Sequence, residues 1–502
     1  MKFDHIIKNG LIYDGTLSTP YRSDIGIIND KIVFIGKLSE IDCKNVINAE
    51  KKIITPGFID IHTHCDLSFK QFIKKMDQNS ISQNYINNSN FLYQGVTSVV
   101  TGNCGLGYSS TDSWLDFTKR IGFKSNVYHL APHGSIREDL FGKNQPLNLN
   151  DTELKLLLKR ISKEIEDGAV GVSLGLEYAP GCFASIKELT EIAKLVKKYD
   201  KVLTVHLKLE LGRNDKGYSI LDAIDEVIDI CRFTGVSLEI SHLKLGKPKD
   251  GIQIDQVIDK ITQAKRSGLN INVDHYPYNA GNTMLSFLLP NEYKEGSGIK
   301  LKYRNKTGRA KIITILKDFF RDISSEDVLI SYFPSKPELE GMNLKEMAIE
   351  QNKDIYECYV DMLFEDAIPW AVFFLSEEND INKIVRMKDV ITVSDGWTVD
   401  NKMQKPHPRL YGSFPRKIKK YSIDEKIIDL TSSIRSMTSL PAEKFNIKDR
   451  GIIKKGFYAD LAIIDLKKLE DRSTYLNPHQ YSCGIEYLFL NGKLVIKENF
   501  IV

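Results

Sequence analysis

The middle of the chain carries the repeating pattern that most restricts its possible fold. Between residues 53 and 435, short runs rich in Val, Ile and Leu alternate with longer stretches of helical apolar periodicity. The short runs predict buried strands, and the longer stretches predict helices, for example at Asp151–Asp167 and Ser185–Tyr199. Such alternation is typical of parallel sheets, and eight strands indicate an α/β fold of the (β/α)8 TIM-barrel type. The predicted barrel strands are Ile53–Ile61, Thr97–Thr101, Asn126–Leu130, Val170–Leu174, Val202–Val205, Ser237–Ile240, Asn270–Val273 and Val390–Val393.

The two ends of the chain show a different pattern. Asn9-Gly10 and Asn491-Gly492 each separate two short apolar runs, which predicts a β-hairpin at each place. Because chain ends often lie close together in folded proteins, both ends can contribute to one unit. We therefore predict a small β-sandwich domain formed by residues 1–55 and 436–502, with the barrel spanning residues 56–435.

The gap between the seventh and eighth predicted strands is too long for one connecting helix. Loops of this length without secondary structure are uncommon in compact domains. We predict an inserted segment over residues 283–378, with its own helices at Ala310–Phe320 and Leu344–Asn352. Its position beside the barrel mouth suggests that it acts as a lid.

Charge and cysteine usage exclude several classes of protein. Lys plus Arg number 69 and Asp plus Glu number 66, so the net charge of +3 gives no reason to expect nucleic acid or an anionic membrane as partner. The seven cysteines are scattered without a CxxC pair, which favours a reducing compartment over a disulfide framework. No signal-peptide core or run of membrane-spanning length is present. We predict a cytoplasmic location, and the pattern does not indicate an oligomeric state.

Residues able to bind a metal follow most of the predicted strands. His62 and His64 end the first strand, and alternate strand residues point the same way. In a barrel the carboxyl ends of all strands converge on one mouth, where active sites form. A single histidine at a strand end is usually a packed core residue, but a whole set at the correct ends is improbable by accident. The set is His62, His64, Cys104, His206, His242 and Asp395, with Glu177 just after the fourth strand.

Five motifs connect these positions to a known family. The run Pro56–His64, PGFIDIHTH, resembles the first-strand signature of the amidohydrolase superfamily. Asn103-Cys104-Gly105, Ser241–Lys244 and Tyr276–Tyr278 resemble the N-acyl-D-amino-acid deacylases, or D-aminoacylases, within it. Lys405–Arg416 is the most specific match, because it is similar to the HPR-x-[YW]-G-x-FPR motif of that branch. The resemblance covers nearly the whole chain and is weakest in the predicted insertion.

The resemblance implies one or two zinc ions per subunit. Imidazole, carboxylate and thiolate donors together suit zinc. Related enzymes place a bridging carboxylate at the end of the fourth strand, so Glu177 is an alternative bridge to Cys104. Cys104 is favoured because a bound thiolate is a strong zinc ligand. The implied ligands are His62, His64 and Asp395 at one position and Cys104, His206 and His242 at the other.

The implied chemistry is hydrolysis of an amide. Zinc lowers the pKa of bound water to about 7 and polarises the amide oxygen. Asp395 is the predicted general base, which takes the proton of the attacking water and passes it to the departing nitrogen. Cys104 as an acyl nucleophile is the alternative, although no histidine adjacent in sequence would activate it.

A second group of residues is predicted to hold a substrate carboxylate. The guanidinium of Arg409 can bind it in a bidentate manner. Lys244 follows His242 by two residues and would face the same side. In the family, equivalents of this lysine, this arginine and one tyrosine hold the carboxylate, and Tyr276 and Tyr278 are the two candidates here. His133, after the third strand, either lines the mouth or has a structural role.

The predicted function is zinc-dependent hydrolysis of N-acyl-D-amino acids to a carboxylate and a free D-amino acid. The preference for the D enantiomer rests on the resemblance alone. An acidic substrate side chain would require a further cation, for which Arg137, Lys208 and Lys247 are candidates.

Three other functions compete with this one. A cyclic-amide hydrolase of the hydantoinase or dihydroorotase kind usually carries a lysine at the fourth strand, where this chain has Glu177. A D-residue dipeptidase would use nearly the same chemistry. A catalytically inactive scaffold is the last alternative, and such proteins typically lose metal ligands.

Overall fold

The computed structural model describes residues 2–38, 43–75, 81–142, 148–210, 218–246, 251–290, 293–295, 298–321, 323–400 and 405–502. The strands are β1 Phe3–Ile12, β2 Tyr21–Ile28, β3 Lys31–Gly36, β4 Cys43–Asn48, β5 Ile53–Pro56, β6 Phe58–Asp60, β7 Val96–Thr101, β8 Asn126–Pro132, β9 Gly171–Gly175, β10 Val202–His206, β11 Ser237–Ile240, β12 Ile271–His275, β13 Gly281–Met284, β14 Lys294–Glu295, β15 Gly298–Ile299, β16 Val328–Tyr332, β17 Trp370–Phe373, β18 Val390–Thr392, β19 Leu461–Ile464, β20 Ile485–Leu490, β21 Lys493–Lys497 and β22 Phe500–Ile501.

The helices lie mainly between the strands of the middle region and in the insertion. They are α1 Cys65–Lys75, α2 Gln83–Asn87, α3 Ser89–Leu92, α4 Thr111–Arg120, α5 His133–Phe141, α6 Asp151–Glu166, α7 Ile186–Lys198, α8 Ile220–Thr234, α9 Ile254–Arg266, α10 Lys306–Phe319, α11 Leu344–Glu350, α12 Ile355–Leu363, α13 Glu378–Val385, α14 Arg409–Arg416, α15 Leu430–Met437 and α16 Ser439–Lys444. A π-helical segment, Lys417–Asp424, continues α14. None of the described helices combines the length and apolar character needed to cross a membrane.

Eight described strands form the parallel sheet of the barrel, in the order β18-β12-β11-β10-β9-β8-β7-β6. A parallel bridge between Thr63 and Gly396 joins the two edges, and the amide of His64 donates to the carbonyl of Gly396 at 2.7 Å. Apart from β12 and β18, which flank the insertion, neighbouring strands of the sheet are consecutive in the chain, as expected for repeated strand–helix units. The predicted (β/α)8 barrel is confirmed.

The helix α6 shows why the periodic stretches fold as expected. Asn150 caps its amino end, and Glu153 completes a capping box. Leu154, Leu157 and Ile161 then recur at helical spacing and are buried, and Leu157 and Ile161 belong to the core that the barrel strands share. The predicted helix Asp151–Asp167 therefore agrees with the structure to within one residue.

The first predicted strand, Ile53–Ile61, is wrong as a single element. It breaks at Gly57, so β5 pairs antiparallel with β19 in the terminal sheet while β6 belongs to the barrel. The amide of Gly57 donates to the carbonyl of Asp460, whereas the next amide donates to Gly95. A β-carbon at position 57 would lie 2.3 Å from Oγ1 of Thr97, so only glycine permits this approach.

The predicted terminal domain is present, since nine described strands from both chain ends form one mostly antiparallel sheet. The hairpin predicted at Asn491-Gly492 is confirmed between β20 and β21. The hairpin predicted at Asn9-Gly10 is wrong, because β1 continues through a bulge there. At this bulge Asn9 adopts a φ of 63° and its amide donates to Asp24, so a turn-forming dipeptide serves as an irregularity within one strand. The domain boundaries at 55 and 436 stay a prediction.

The segment between β12 and β18 has its own core and its own three-stranded sheet, in the order β13-β17-β16. The predicted helices Ala310–Phe320 and Leu344–Asn352 correspond to α10 and α11. Part of this segment, including Met284 and Trp370, faces the cavity at the barrel mouth. The bounds 283–378 and the function as a lid stay predictions.

The opposite end of the barrel is closed by apolar side chains. Leu440 of α16 and Phe445 just after it are buried in one cluster with Ile59, Val100 and Ile391 of the barrel strands. Because this end is packed, ligands reach the barrel from the mouth.

Candidate metal centre

Three of the predicted ligands lie where the chain turns sharply out of a barrel strand. Cys104, His242 and Asp395 all have positive φ angles, of 55°, 32° and 49°. Non-glycine residues rarely adopt this left-handed backbone, and it costs on the order of 1 kcal/mol or more each. Such strain is retained where the surrounding structure holds it, and it is concentrated at functional sites.

A buried asparagine holds one of these turns in place. The side-chain amide of Asn103 donates to the carbonyls of Ile61, Thr63 and Val100, at 3.0 to 3.3 Å. These bonds tie the end of β7 to the chain that follows β6. The Asn103-Cys104-Gly105 motif therefore sets the thiol of Cys104 beside the histidines of the first strand.

The candidate ligand atoms converge at the mouth. Nε2 of His62 lies 3.3 Å from Sγ of Cys104 and 3.5 Å from Oδ1 of Asp395. Sγ of Cys104 lies 3.5 Å from Nε2 of His242, and Nε2 of His64 lies 3.2 Å from Oδ1 of Asp395. The structure thus brings together residues separated by more than three hundred positions in the chain.

Among the described residues, three groups of side chains could each hold a metal ion, because the ligand atoms within each group all lie within 4.8 Å of one another. The groups share members, so they form one continuous site rather than separate ones. Cys104, His62 and His242 each occur in two groups. The groups are His62 with His64 and Cys104, Cys104 with His206 and His242, and His62 with His242 and Asp395.

The charge distribution favours ionised donors. Burial would raise the pKa of the Cys104 thiol, but His62, His242 and His206 together hold it well below its usual value. Burial would likewise raise the pKa of Asp395, whereas Arg409 and the neighbouring histidines hold it well below the ordinary range. Thiolate and carboxylate are the forms that bind a cation.

The donor set and its unsatisfied atoms fit zinc. Within the described part of the chain, both ring nitrogens of His206 and Nδ1 of His64 are buried without a hydrogen-bond partner. Buried polar atoms are seldom left in this state, and a cation beside His206 would satisfy one of its nitrogens. Imidazole nitrogen with one thiolate and one carboxylate is a donor combination typical of zinc.

Glu177 does not join this set. Its carboxylate is buried and accepts a hydrogen bond from the amide of Leu209 at 2.7 Å, where it supports the loop after β10. Glu177 is also absent from the described groups that could hold a metal. The geometry therefore favours Cys104 over Glu177 as the shared ligand.

The predicted carboxylate-binding residues lie beside the ligands. Nη1 of Arg409 contacts Oδ2 of Asp395 at 2.7 Å, and its guanidinium carbon lies 4.5 Å from the ring centre of Tyr276. Nζ of Lys244 is 5.9 Å from the same ring. Tyr278 instead lies beneath the loop, where its hydroxyl donates to Asp471 at 3.4 Å. Of the two tyrosines, Tyr276 is the one that lies beside Arg409, and neither tyrosine is among the described residues that line the cavity.

The order His-Pro-Arg in this loop has a structural explanation. Nδ1 of His407 accepts a hydrogen bond from the amide of Arg409, and Nε2 donates to the carbonyl of Ala280, both at 3.0 Å. Burial and the nearby charge of Arg409 lower the pKa of His407 well below its usual value, so the ring is neutral. His407 therefore fixes the amino end of α14 and with it the position of Arg409.

His133 lies apart from the site. It is fully buried, and its Nε2 is 2.8 Å from Oε1 of Glu188, whose other oxygen faces Arg137 at 3.4 Å. It is not among the described residues that line the cavity. Of its two predicted roles, the structure places His133 in the packing of α5 against α7.

Two acidic residues that the sequence analysis passed over support the ligands. Glu210 contacts Nζ of Lys244 at 2.5 Å and Nδ1 of His242 at 3.2 Å. Asp274 accepts from the amide of His242 at 2.6 Å and lies 3.3 Å from Nδ1 of His62. Carboxylates in such positions orient ligating imidazoles. Asp274 directly follows the seventh predicted strand, so its position at a strand end could have predicted it. Glu210 lies in the loop after β10, where no motif or regular spacing indicates a role.

A cavity of about 480 Å³ opens above these residues. Its base includes Cys104, His242, Asp395 and Arg409, and one side is formed by the insertion. A volume of several hundred cubic ångströms is that of a small-molecule site.

Two family models match the chain, one over residues 53–277 and one over residues 381–496, and both are described as Amidohydrolase family. Together with the barrel and the cluster of histidine, cysteine and aspartate donors at its mouth, these matches define the class. The chain belongs to the amidohydrolase family and is a metal-dependent hydrolase.

Within this class, individual relatives span the whole chain. D-aminoacylase from Alcaligenes xylosoxydans xylosoxydans is 27% identical over 99% of this chain and 95% of the relative. N-acyl-D-glutamate deacylase from the same organism is 28% identical over 99% and 94%. A crystal structure of N-acyl-D-glutamate deacylase from Bordetella bronchiseptica, complexed with zinc and a phosphonate inhibitor, has a TM-score of 0.82 at 26% identity, covering 99% of this chain and 97% of that one. The predicted resemblance to the deacylase branch is confirmed.

Proposed function

We propose that the protein hydrolyses the amide bond of N-acyl-D-amino acids, releasing a carboxylate and a free D-amino acid. One observation carries this proposal: a zinc-type ligand cluster lies within contact distance of an anion-binding group. Asp395 connects the two, because it contacts His64 through one oxygen and Arg409 through the other. The whole-chain similarity to D-aminoacylase and N-acyl-D-glutamate deacylase supports the same conclusion.

The ligand cluster would hold zinc through His62, His64 and Asp395 on one side and Cys104, His206 and His242 on the other. Zinc bound there supplies Lewis acidity toward water and toward the amide oxygen.

Asp395 is the proposed proton carrier. As a carboxylate within contact distance of His62 and His64, Asp395 is placed to accept the proton of the attacking water. It then returns this proton to the departing nitrogen, which would otherwise leave as a strongly basic anion. Its contact with Arg409 holds the carboxylate in a single orientation for both transfers.

Arg409, Lys244 and Tyr276 are proposed to bind the substrate carboxylate. The guanidinium of Arg409 lies over the ring of Tyr276, and Nζ of Lys244 is 5.9 Å from the same ring, so the three side chains form one group beside the ligand cluster. A hydantoin ring has no free carboxylate and would leave the buried guanidinium of Arg409 without an anionic substrate partner. The arrangement therefore favours a linear N-acyl amino acid over a cyclic amide. Small carboxylate-bearing substrates are the proposed partners of this site.

The test is turnover of a substrate panel by the purified protein, with zinc and after chelation. We expect hydrolysis of N-acetyl-D-methionine, far slower hydrolysis of N-acetyl-L-methionine, no opening of hydantoin and little cleavage of D-residue dipeptides. Activity should disappear with a chelator and return with added zinc. Equal rates on both enantiomers, a preference for hydantoin, or full activity after verified metal removal would each contradict the proposal.

A further inference from the structure

The similarity to known proteins does not decide which side chain the substrate carries. Identity to D-aminoacylase is 27% and to N-acyl-D-glutamate deacylase 28%, so neither relative is favoured. The lining of the cavity does distinguish an acidic side chain from an uncharged one. The following inference rests on the proposed function and deepens it.

The wall of the cavity away from the ligands is largely aromatic and apolar. The segment between β12 and β18 contributes Met284, Tyr332 and Trp370, and the chain after β18 contributes Trp397 and Val399. The same segment also contributes three uncharged polar residues, Asn282, Thr283 and Ser331. The rings of Trp370 and Trp397 lie 5.9 Å apart in an edge-on arrangement, which joins the two parts into one surface. Such a surface gains free energy by covering apolar groups and offers little to a charged one.

The charges on the described lining are mostly negative. Asp395 and Asp400 are acidic. Among the described residues of the lining, Arg409 is the one with a side chain of the lysine or arginine type. Arg409 is already engaged by Asp395, and its proposed role is to hold the α-carboxylate. A second carboxylate on the substrate would therefore meet no further cation from the described lining.

The residues predicted from the sequence to bind an acidic substrate side chain are not found in the described lining of the cavity. Arg137 faces Glu188 below the mouth, and Lys208 contacts Glu226 at 2.8 Å. Neither lines the cavity among the described residues. Lys247 lies outside the described residues.

Asp400 adds repulsion to this lack of a partner. It lines the same cavity as Tyr85, and the pKa of Tyr85 is raised by burial and by the charge of Asp400. Asp400 therefore adds a negative charge to the cavity that the aromatic wall also lines. A carboxylate moved into this wall would lose hydration without gaining a cationic partner from the described lining and would face a like charge.

We propose that Asp400 and the aromatic wall formed by Tyr332, Trp370 and Trp397 determine substrate side-chain specificity: they select N-acyl-D-amino acids with large, uncharged apolar side chains and reject those with acidic ones. Specificity of this kind needs both an attractive surface for one substrate and a repulsive element against its competitor. The wall supplies the first and Asp400 the second.

The first test compares kcat/KM of the zinc-loaded enzyme for the N-acetyl derivatives of D-methionine, D-phenylalanine, D-glutamate and D-aspartate. We expect the two apolar substrates to exceed the acidic ones by about 100-fold or more, as is usual when a charged group enters a site without a partner. Equal or better turnover of N-acetyl-D-glutamate would overturn the inference while leaving the proposed function intact. Failure to hydrolyse any D-substrate would instead overturn the proposed function.

The second test changes the charge at position 400 and follows the ratio of kcat/KM for D-glutamate to that for D-methionine. Asp400→Asn should raise this ratio about 10-fold, and Asp400→Arg about 100-fold, since the second change also supplies a cation. Asp229→Asn is the matched control, because Asp229 is exposed on α8 and its loss should leave the ratio unchanged. A ratio that stays constant in both Asp400 variants would overturn the role of Asp400. Circular dichroism of each variant establishes that it is folded.

Discussion

The two ends of the barrel are built from the same strands and yet differ in almost every physical respect. At the closed end, Ile59, Val100 and Ile391 pack against apolar side chains from the chain that follows α15. At the mouth, the chain turns out of the barrel after β7 and β18 at Cys104 and Asp395, which are buried and have left-handed backbones. The comparison shows that stability and function are separated along each strand, as in other barrels of this class.

This separation predicts opposite responses to mutation. Changes at the mouth should remove metal or activity with limited effect on folding, whereas changes at the closed end should lower stability and leave the chemistry of the folded molecules intact.

The largest effect is expected from Asp395→Asn at the mouth. Loss of a group that binds metal and carries the proton should lower kcat by about 10³-fold or more. Steady-state kinetics, with zinc content measured by elemental analysis, tests this. The exposed change Asp229→Asn should leave kcat within experimental error. A loss of less than tenfold with full zinc content would show that another residue moves the proton.

The next effect is expected at the closed end, from Phe445→Ala. Phe445 is 4% exposed, and removing a buried phenyl ring should lower the free energy of unfolding by about 3–5 kcal/mol. Chemical denaturation measures this change, and kcat/KM at a temperature where the variant is folded should match that of the parent. Phe233→Ala is the control, because Phe233 is 72% exposed and its removal should shift stability by no more than about 0.5 kcal/mol. A large drop in kcat/KM for folded Phe445→Ala would contradict the separation of the two ends.

A smaller effect is expected for Glu210→Gln, which keeps the shape of a residue that supports the ligands. Loss of the carboxylate beside His242 and Lys244 should weaken zinc affinity about 10- to 100-fold. Competition with a calibrated chelator measures the affinity, and excess zinc should restore much of the activity. Glu226→Gln serves as a control, since Glu226 pairs with Lys208 instead. Unchanged zinc affinity would show that Glu210 supports Lys244 and not the ligand His242.

The smallest effect is expected for His407→Ala, which acts on the position of Arg409. Loss of the hydrogen bond to the Arg409 amide should raise KM for an N-acyl-D-amino acid about tenfold with a smaller change in kcat, because one net hydrogen bond contributes roughly 0.5–1.5 kcal/mol. His5→Ala, in the terminal sheet, is the control. A fall in kcat at constant KM would indicate that His407 acts on the reaction and not on binding.

Much of the barrel was predictable because its signals are local. Helix α6 begins at a capping box and continues with buried residues at helical spacing, and both features are visible in a short stretch of sequence. The six ligand candidates were also accessible, since residues at the carboxyl ends of parallel strands must share one mouth once the barrel closes. Asp274 satisfied the same criterion and was overlooked.

Other features depended on contacts that no local pattern records. The break at Gly57 follows from pairing with Asp460 on one side and Gly95 on the other. The choice of Tyr276 over Tyr278 follows from Arg409 and Asp471, which are distant in sequence. Residues two positions apart in a loop look equivalent until their neighbours are known.

The amino-acid sequence alone determined the class of fold, the inserted segment, the residue types around the metal and the membership of the deacylase branch, because periodicity and motif chemistry are properties of short stretches of chain. The tertiary structure decided how those residues are arranged: which tyrosine lies beside Arg409, which carboxylates support the imidazoles, and which charges line the cavity. These are differences in distance between side chains from separate strands and loops, and closure of the barrel brings those side chains within reach of one another.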